Sequence, residues 1–320
     1  MKILANDGIS AIGKSTLENA GFTVITNKVA QEDLITYINE NQIDMLLVRS
    51  ATTARQDMID ACPSLKLIGR GGVGMDNIDV VYAREKGLQV INTPGASSQS
   101  VAELVMGKIF SLSRFLYESY RNMPISGSEN FDALKKNYAK GVELRGKTLL
   151  IIGFGKIGQA LASYALGCGM KVHAVDFSTD PVSINIPIEG HRNVSVMITP
   201  TDFLTSALPE ADYISIHVPK QSNGSAFIGK DEFALMKDGV RLINAARGGV
   251  IDEEALMEAL DSGKVFCAAL DVYENEPKPN ARLLTHSKIA STPHIGAATA
   301  EAQDRVGLEL AETIIRLFGQ

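Results

Sequence analysis

Short apolar runs alternate along the whole chain with segments whose apolar residues recur every three or four positions. The runs "KILA", "FTVIT", "DMLLVRS", "LKLIGRG" and "LQVINTPG" predict strands. Between them "QEDLITYINENQ" and "NIDVVYAREKG" have helical spacing, the latter closing on Gly87 as a C-cap. Nearly continuous apolar strands are buried on both faces, so the pattern predicts an α/β fold with a parallel sheet covered by helices. A longer helix follows. "SVAE" at Ser100 to Glu103 fits a capping box, and Val101, Leu104, Val105, Ile109, Leu112 and Leu116 recur at spacings of three and four. From about Asn122 to Arg145 the pattern turns polar and irregular. The alternation then resumes, with "TLLII", "KVHAVD", "ADYISIHVP", "VRLINAAR", "VFCAALDVY" and "KIASTPH" as strands and "DEFALMK" and "DEEALMEALDSG" as helices. The terminal helix, "AEAQDRVGLELAETIIRLF", has no further strand to cross to in this second series and can return to the first, making that domain discontinuous.

Composition narrows the class. A length of 320 residues suits two domains, and 45% hydrophobic with 21% charged residues is ordinary for a soluble globular protein. A net charge of −6 argues against a general nucleic-acid binder. Cys62, Cys168 and Cys267 lie far apart, without CxxC or Cys/His ligand spacing, so they are expected to be reduced thiols and no metal is expected. "MKILANDGIS" lacks the apolar run of a signal peptide, and no stretch reaches the roughly 18 apolar residues of a membrane span. The expectation is a cytoplasmic protein without membrane contact.

The chemistry begins at "LLIIGFGKIGQALASYALGCGMKVHAVD". Gly153, Gly155 and Gly158 form G-x-G-x-x-G between a strand and a helix. The first permits a tight turn, the second lets a pyrophosphate approach the backbone, and the third allows close helix–strand packing. The helix N-terminus supplies free N–H groups for the phosphates. Asp176 closes the next strand 18 residues after Gly158, where a carboxylate can hold the ribose hydroxyls of a dinucleotide. A carboxylate repels a 2′-phosphate and Phe177 follows it rather than an arginine, so NAD is favoured over NADP.

Three later strand ends carry further candidates. "NAARGG" places Arg247, "DVYENEP" places Glu276 beyond Asp271, and "STPHIGA" places His294. Ligands collect at the C-terminal ends of parallel strands. An arginine can clamp a carboxylate, a histidine can exchange the proton that accompanies hydride transfer, and a carboxylate can orient that histidine. On composition alone Glu274 competes with Glu276, and each residue singly has a structural explanation.

With these motifs in place the chain resembles the D-isomer-specific 2-hydroxyacid dehydrogenases. The resemblance runs through "VRSAT", "GRGGVGMDNID", "NTPGASSQSVAE", "LRGKTLLIIGFGKIG", "LINAARGGVIDEEAL", "AALDVYENEP" and "TPHIGAAT", nearly the whole length. It is greatest to members that oxidise D-3-phosphoglycerate, the first step of serine formation by the phosphorylated route. The family pattern implies that Arg247 binds the substrate carboxylate and carbonyl, that His294 is the acid/base, and that Glu276 rather than Glu274 is its partner. It implies cofactor contacts at Val73, Gly153, Gly155, Lys156, Ile157, Gly158, Asp176, Val218, Ala245, Ala246, Arg247, Asp271, His294, Gly296 and Ala297. The backbone after Arg70, through Gly71, Gly72, Val73 and Gly74, would receive the substrate carboxylate. The fold implied is a Rossmann-type nucleotide-binding domain (97–294) inserted into a flavodoxin-like substrate domain (1–96 and 295–320), with the active site in the cleft between them. The long helix and the polar stretch after it resemble the family's dimer interface, so a homodimer is expected.

Arg49 and Arg70 add a substrate argument. Both fall at strand ends of the first domain, and two cations beyond Arg247 suit a phosphate better than a simple monocarboxylic acid. Surface pairing with acids such as Asp76 is the alternative. Lys135, Lys136 and Lys140 add charge or form a solvated face. Other readings are a D-lactate dehydrogenase, a glyoxylate/hydroxypyruvate reductase, and a non-catalytic NAD-binding corepressor. Ser97 stands where the family has an asparagine, and Thr179 to Pro200 is longer than the pattern requires. The chain ends without the serine-binding domain of longer relatives, so serine feedback is in doubt.

Overall fold

The computed structural model describes residues 1–319. The chain divides into two compact units: Met1–Ser100 with the segment from Ala297 onward, and Val101–Gly296.

The first unit is built on a five-stranded parallel sheet of β1 (Lys2–Ala5), β2 (Thr23–Ile25), β3 (Met45–Val48), β4 (Leu67–Arg70) and β5 (Gln89–Asn92) in the order β2-β1-β3-β4-β5. This is the flavodoxin-like order, with a reversal between β1 and β3. Helices α1 (Ala11–Asn19), α2 (Leu34–Asn41), α3 (Gln56–Ala61) and α4 (Val80–Glu85) connect the strands. The terminal helix (Ala300–Phe318) packs on α1 so closely that a Cβ on Gly13 would stand 2.7 Å from the backbone of Gly307. Its Val306, Leu310, Ala311 and Ile314 join Ile3, Leu17, Met45 and Leu67 in one core.

The second unit begins within α5 (Ser98–Arg114), followed by α6 (Leu116–Ser126) and α7 (Phe131–Tyr138). Two expectations are corrected here. α5 starts at Ser98, so Ser100 is a buried residue within the helix and not an N-cap. The segment expected to be irregular is mostly helical. Pro124, which would break a helix interior, lies inside α6, and the polar stretch after it folds as the amphipathic α7.

Its sheet has six parallel strands: β6 (Thr148–Ile152), β7 (Lys171–Val175), then, after the hairpin of β8 (Val182–Ile186) and β9 (Val194–Ile198), β10 (Tyr213–Ile216), β11 (Val240–Asn244), β12 (Val265–Leu270) and β13 (Ile289–Ser291). The order is β13-β12-β11-β10-β6-β7, reversing between β6 and β10. Helices α8 (Lys156–Gly167), α9 (Leu204–Ala207), α10 (Lys230–Leu235), α11 (Glu253–Ser262) and α12 (Ala281–Thr285) complete it. The hairpin accounts for the long stretch from Thr179 to Pro200. Its Ile184 and Ile198 are buried in the same core as Leu161 and Ala165 of α8, and Ser163 Oγ donates to the Asn185 carbonyl at 3.0 Å. Beyond it Thr201 makes a parallel bridge to Val175, so the hairpin flanks β7 and carries no candidate site residue.

Burial raises the Cys62 thiol to about 11 and the Cys267 thiol to about 12, so both stay protonated at neutral pH. All three cysteines are free, though Cys168 is only partly buried. No described helix is long and apolar enough to cross a membrane.

Candidate active site

The glycine loop is shaped by contacts of the protein with itself and leaves one face open. Gly153 has φ 92, and a Cβ there would stand 2.7 Å from the backbone of His217 and 3.1 Å from Cγ1 of Val218. A Cβ on Gly158 would stand 2.4 Å from the Gly153 carbonyl oxygen, so α8 can lie this close to β6 only with glycine there. At Gly155 a Cβ would meet nothing within 4 Å. Gly155 is the N-cap position of α8 and offers no side chain to the first N–H groups, while Lys156 beside it is exposed and Ile157 half-buried. Twelve residues of helix thus point their positive dipole end at open space. Asp176 follows β7 and is braced there. Its Oδ2 accepts from the Phe154 N–H at 2.5 Å and its Oδ1 from the Ser178 N–H at 3.2 Å. Phe177, the next residue, is 96% exposed and brings no charge to this edge. These groups fit a dinucleotide: N–H donors for a pyrophosphate and an acid for a ribose.

Arg247, Glu276 and His294 converge at the ends of three neighbouring strands. After β11, Asn244 turns the chain by accepting from the Ala246 N–H and donating to the Arg247 carbonyl, both at 3.0 Å. Ala245 and Ala246 lie half-buried in this turn. Gly248 then runs so close to the next strand end that a Cβ would stand 1.7 Å from the Tyr273 carbonyl oxygen. Only glycine lets the Arg247 segment lie against the segment carrying Glu276. The Arg247 guanidinium donates to the Ala246 carbonyl at 2.7 Å.

After β12, the Tyr273 N–H donates to Glu276 Oε1 at 3.0 Å, and Glu276 Oε2 lies 2.7 Å from Nδ1 of His294. It is Glu276 that reaches the histidine; the Glu274 N–H is turned to Glu253 Oε1 at 2.8 Å. Burial works against charge on Glu276. The His294 ring, the Tyr273 N–H and the positive charges of His294 and Arg247 outweigh it and hold the carboxyl below its usual value.

His294 has φ 53, a left-handed conformation that costs a non-glycine residue on the order of 1 kcal/mol. Asp271 holds it. Its Oδ1 accepts from Thr292 Oγ1 at 2.5 Å and from the Ile295 N–H at 3.0 Å, and its Oδ2 from the Gly296 N–H at 2.8 Å. With Nδ1 engaged by Glu276, Nε2 is the nitrogen available to a reacting proton.

In the first unit, cavities of about 250 and 470 Å³ lie at the ends of β1 and β3, where the sheet order reverses and ligands collect. Arg49 lines both. Its loop is tied to β1 through Asp7, which accepts from the Arg49 N–H at 2.7 Å, the Thr52 N–H at 3.0 Å and Thr52 Oγ1 at 2.7 Å. Among the described residues the Arg49 guanidinium makes no hydrogen bond. Burial lowers its pKa and the charge of Asp7 partly offsets this. Lys28 lines the second cavity and is ion-paired to Asp7. Arg70 is placed differently. It donates to the Gly74 carbonyl and lies 3.7 Å from Asp76, so the pairing with Asp76 is present and a phosphate is not needed to balance this arginine. Gly71 lines the first cavity, Gly72 has open space where a Cβ would stand, and Val73 is 39% exposed.

Residues 106–296 match the D-isomer specific 2-hydroxyacid dehydrogenase, NAD binding domain. Over 99% of its length the chain is 42% identical to a hydroxypyruvate reductase of Thermotoga maritima, covering 98% of that protein. The chain belongs to the D-isomer-specific 2-hydroxyacid dehydrogenases. It is also 40% identical, over 99% of its length, to a D-3-phosphoglycerate dehydrogenase of Methanocaldococcus jannaschii, of which it spans 57%. Among solved structures, D-lactate dehydrogenase from Aquifex aeolicus, complexed with NAD and lactic acid, superposes with a TM-score of 0.75 at 27% identity, covering 99% of this chain and 95% of that one.

The second unit therefore carries the NAD-binding domain of a D-2-hydroxyacid dehydrogenase. Of the cofactor contacts named from sequence, all but Val73 and Ala297 fall within this unit. Lys28 was not named. Its signal was weak: a lone lysine two residues past "VIT", with no motif around it.

Proposed function

We propose that the chain interconverts D-3-phosphoglycerate and 3-phosphohydroxypyruvate with NAD. The observation that carries the reaction is the 2.7 Å contact of Glu276 with His294 beside Arg247. Arg247 binds the carboxylate and carbonyl of the 2-oxo acid with two parallel hydrogen bonds. His294 Nε2 takes the hydroxyl proton during oxidation and returns it during reduction, while Glu276 fixes the ring and stabilises its charged form. Bound NAD supplies the hydride acceptor. The apolar Ile125 (83% exposed) and Phe131 (56%) on α6 and α7 support a homodimer through that face.

A phosphate is supported by the half-buried Arg49 guanidinium, which lacks a hydrogen-bond partner and has Lys28 nearby. A second reading is a reductase of hydroxypyruvate or glyoxylate. The Arg70–Asp76 pair favours it, since it takes one of two expected cations out of play. The kcat/KM for 3-phosphohydroxypyruvate against hydroxypyruvate, both with NADH, decides between them. The phosphorylated acid should win by about 10-fold or more, since a charge-assisted contact contributes roughly 1.5–3 kcal/mol. Arg49→Ala should remove that advantage and leave NADH affinity unchanged. Equal or better turnover of hydroxypyruvate hands the assignment to the second reading.

Asp176 sets the cofactor in this proposal. Asp176→Ala should weaken NAD binding by about 10–100-fold and narrow the preference over NADP. Titration of both cofactors checks it, and wild-type protein that uses NADP as well as NAD would contradict this role.

A further inference from the structure

Among the described residues that are buried as a whole, only Lys108 (6% exposed) and Asp271 (1%) carry charge. Lys108 stands on the apolar face of α5, three residues after Val105 and four before Leu112, both fully buried. An aliphatic side chain would fill this place without desolvating an ammonium. Instead Lys108 Nζ donates to the Leu270 carbonyl at 3.1 Å, at the end of β12 next to Asp271.

That carbonyl is a junction. It also accepts from the Thr292 N–H at 3.0 Å and from the Tyr273 hydroxyl at 3.2 Å. Asp271 in turn holds Thr292, Ile295 and Gly296, the residues on either side of His294. We propose that Lys108 is a positioning residue: its buried ammonium supplies the countercharge to Asp271 and anchors the end of β12, and so keeps the Thr292–Gly296 turn in the conformation that aims His294 at Glu276. The role rests on the dehydrogenase reading above. Without Lys108, Asp271 would lose the buried ammonium that faces it. A buried carboxylate that loses its countercharge tends toward the neutral acid, a weaker acceptor for the two N–H groups that keep His294 in its left-handed conformation.

The electrostatics agree with the geometry. Burial pushes the Lys108 ammonium down to about 8, and Asp271, the charged group that faces it, pulls the other way.

Lys108→Met keeps the length of the side chain and removes its charge. Amide hydrogen exchange in the cofactor-free protein should quicken about 10-fold at Ile295 and Gly296 and stay unchanged at Ile214 and Ser215 in β10. In turnover, Lys108→Met should lower kcat about 10-fold while changing the NADH dissociation constant less than about 3-fold. In an Asp271→Asn background the same substitution should lower kcat by less than about 2-fold, because its effect passes through the carboxylate. Unchanged exchange at Ile295 and Gly296, or additive losses of kcat in the double variant, would overturn the proposal.

Should Lys108→Met not fold, the lysine itself can be read. In protein labelled at the lysine ε-carbon, the Lys108 signal should titrate near 8 and move lower in Asp271→Asn. A midpoint that ignores Asp271→Asn would also overturn it. Exchange and titration need no substrate, so a chain that turns over no 2-oxo acid would refute the dehydrogenase reading separately from this one.

Discussion

His294→Ala lowers kcat by about 10²–10⁴-fold, the usual contribution of a positioned acid/base, and leaves NAD affinity nearly unchanged. The split follows from the geometry. His294 lies on the turn after β13 with Nδ1 on Glu276, whereas the N–H groups of α8 and Asp176 belong to the other end of the sheet. Glu276→Gln is milder in kcat and changes the pH profile. The wild-type carboxyl is held below its usual value, so its negative charge is kept through neutral pH and is lost only as pH falls through that lowered value. The glutamine variant has no such charge to lose. Steady-state rates across pH, with NADH binding measured alongside, check both. A His294→Ala variant whose loss lies wholly in NAD affinity would remove the histidine from proton transfer.

Arg247→Lys costs about 10²-fold in kcat/KM although it keeps the charge. Lysine presents a point charge where arginine presents a planar pair of donors, so one of two charge-assisted hydrogen bonds to the substrate is lost. It also gives up the bond of the guanidinium to the Ala246 carbonyl, which orients the side chain. The turn itself should survive, because Asn244 and Gly248 hold it through backbone groups. Thermal unfolding near the wild-type value together with the kinetic loss supports the role. Near-normal kinetics would refute it.

Much of this was legible in the sequence because the signals were local. Strand–glycine–helix spacing marks Gly153, Gly155 and Gly158, and strand-end positions mark Arg247, Glu276 and His294. What was not legible depended on packing that the local pattern does not show. The stretch from about Asn122 to Arg145 read as irregular, yet α6 runs past Pro124 and α7 follows it. "SVAE" has the chemistry of a capping box, but α5 extends two residues further back and buries Ser100. Arg49 and Arg70 looked equivalent at their strand ends. Only the fold shows that Asp76 comes back to Arg70 while Asp7 takes the backbone of Arg49 and leaves its guanidinium without a hydrogen bond. Lys108 reads as one polar residue in a helix, and its neighbour Asp271 lies more than half the chain away.

The proposed reaction rests on hydride transfer from NADH to C2 of a 2-oxo acid, which yields a D-2-hydroxy acid. Reducing 3-phosphohydroxypyruvate, hydroxypyruvate and pyruvate with NADH dideuterated at the nicotinamide C4 tests it for three candidate substrates at once. The account predicts that one deuterium appears at C2 of a D-hydroxy acid for each NADH consumed, with the phosphorylated acid turned over most efficiently. An L-configured product, deuterium that never reaches C2, or no consumption of NADH with any of the three would contradict it.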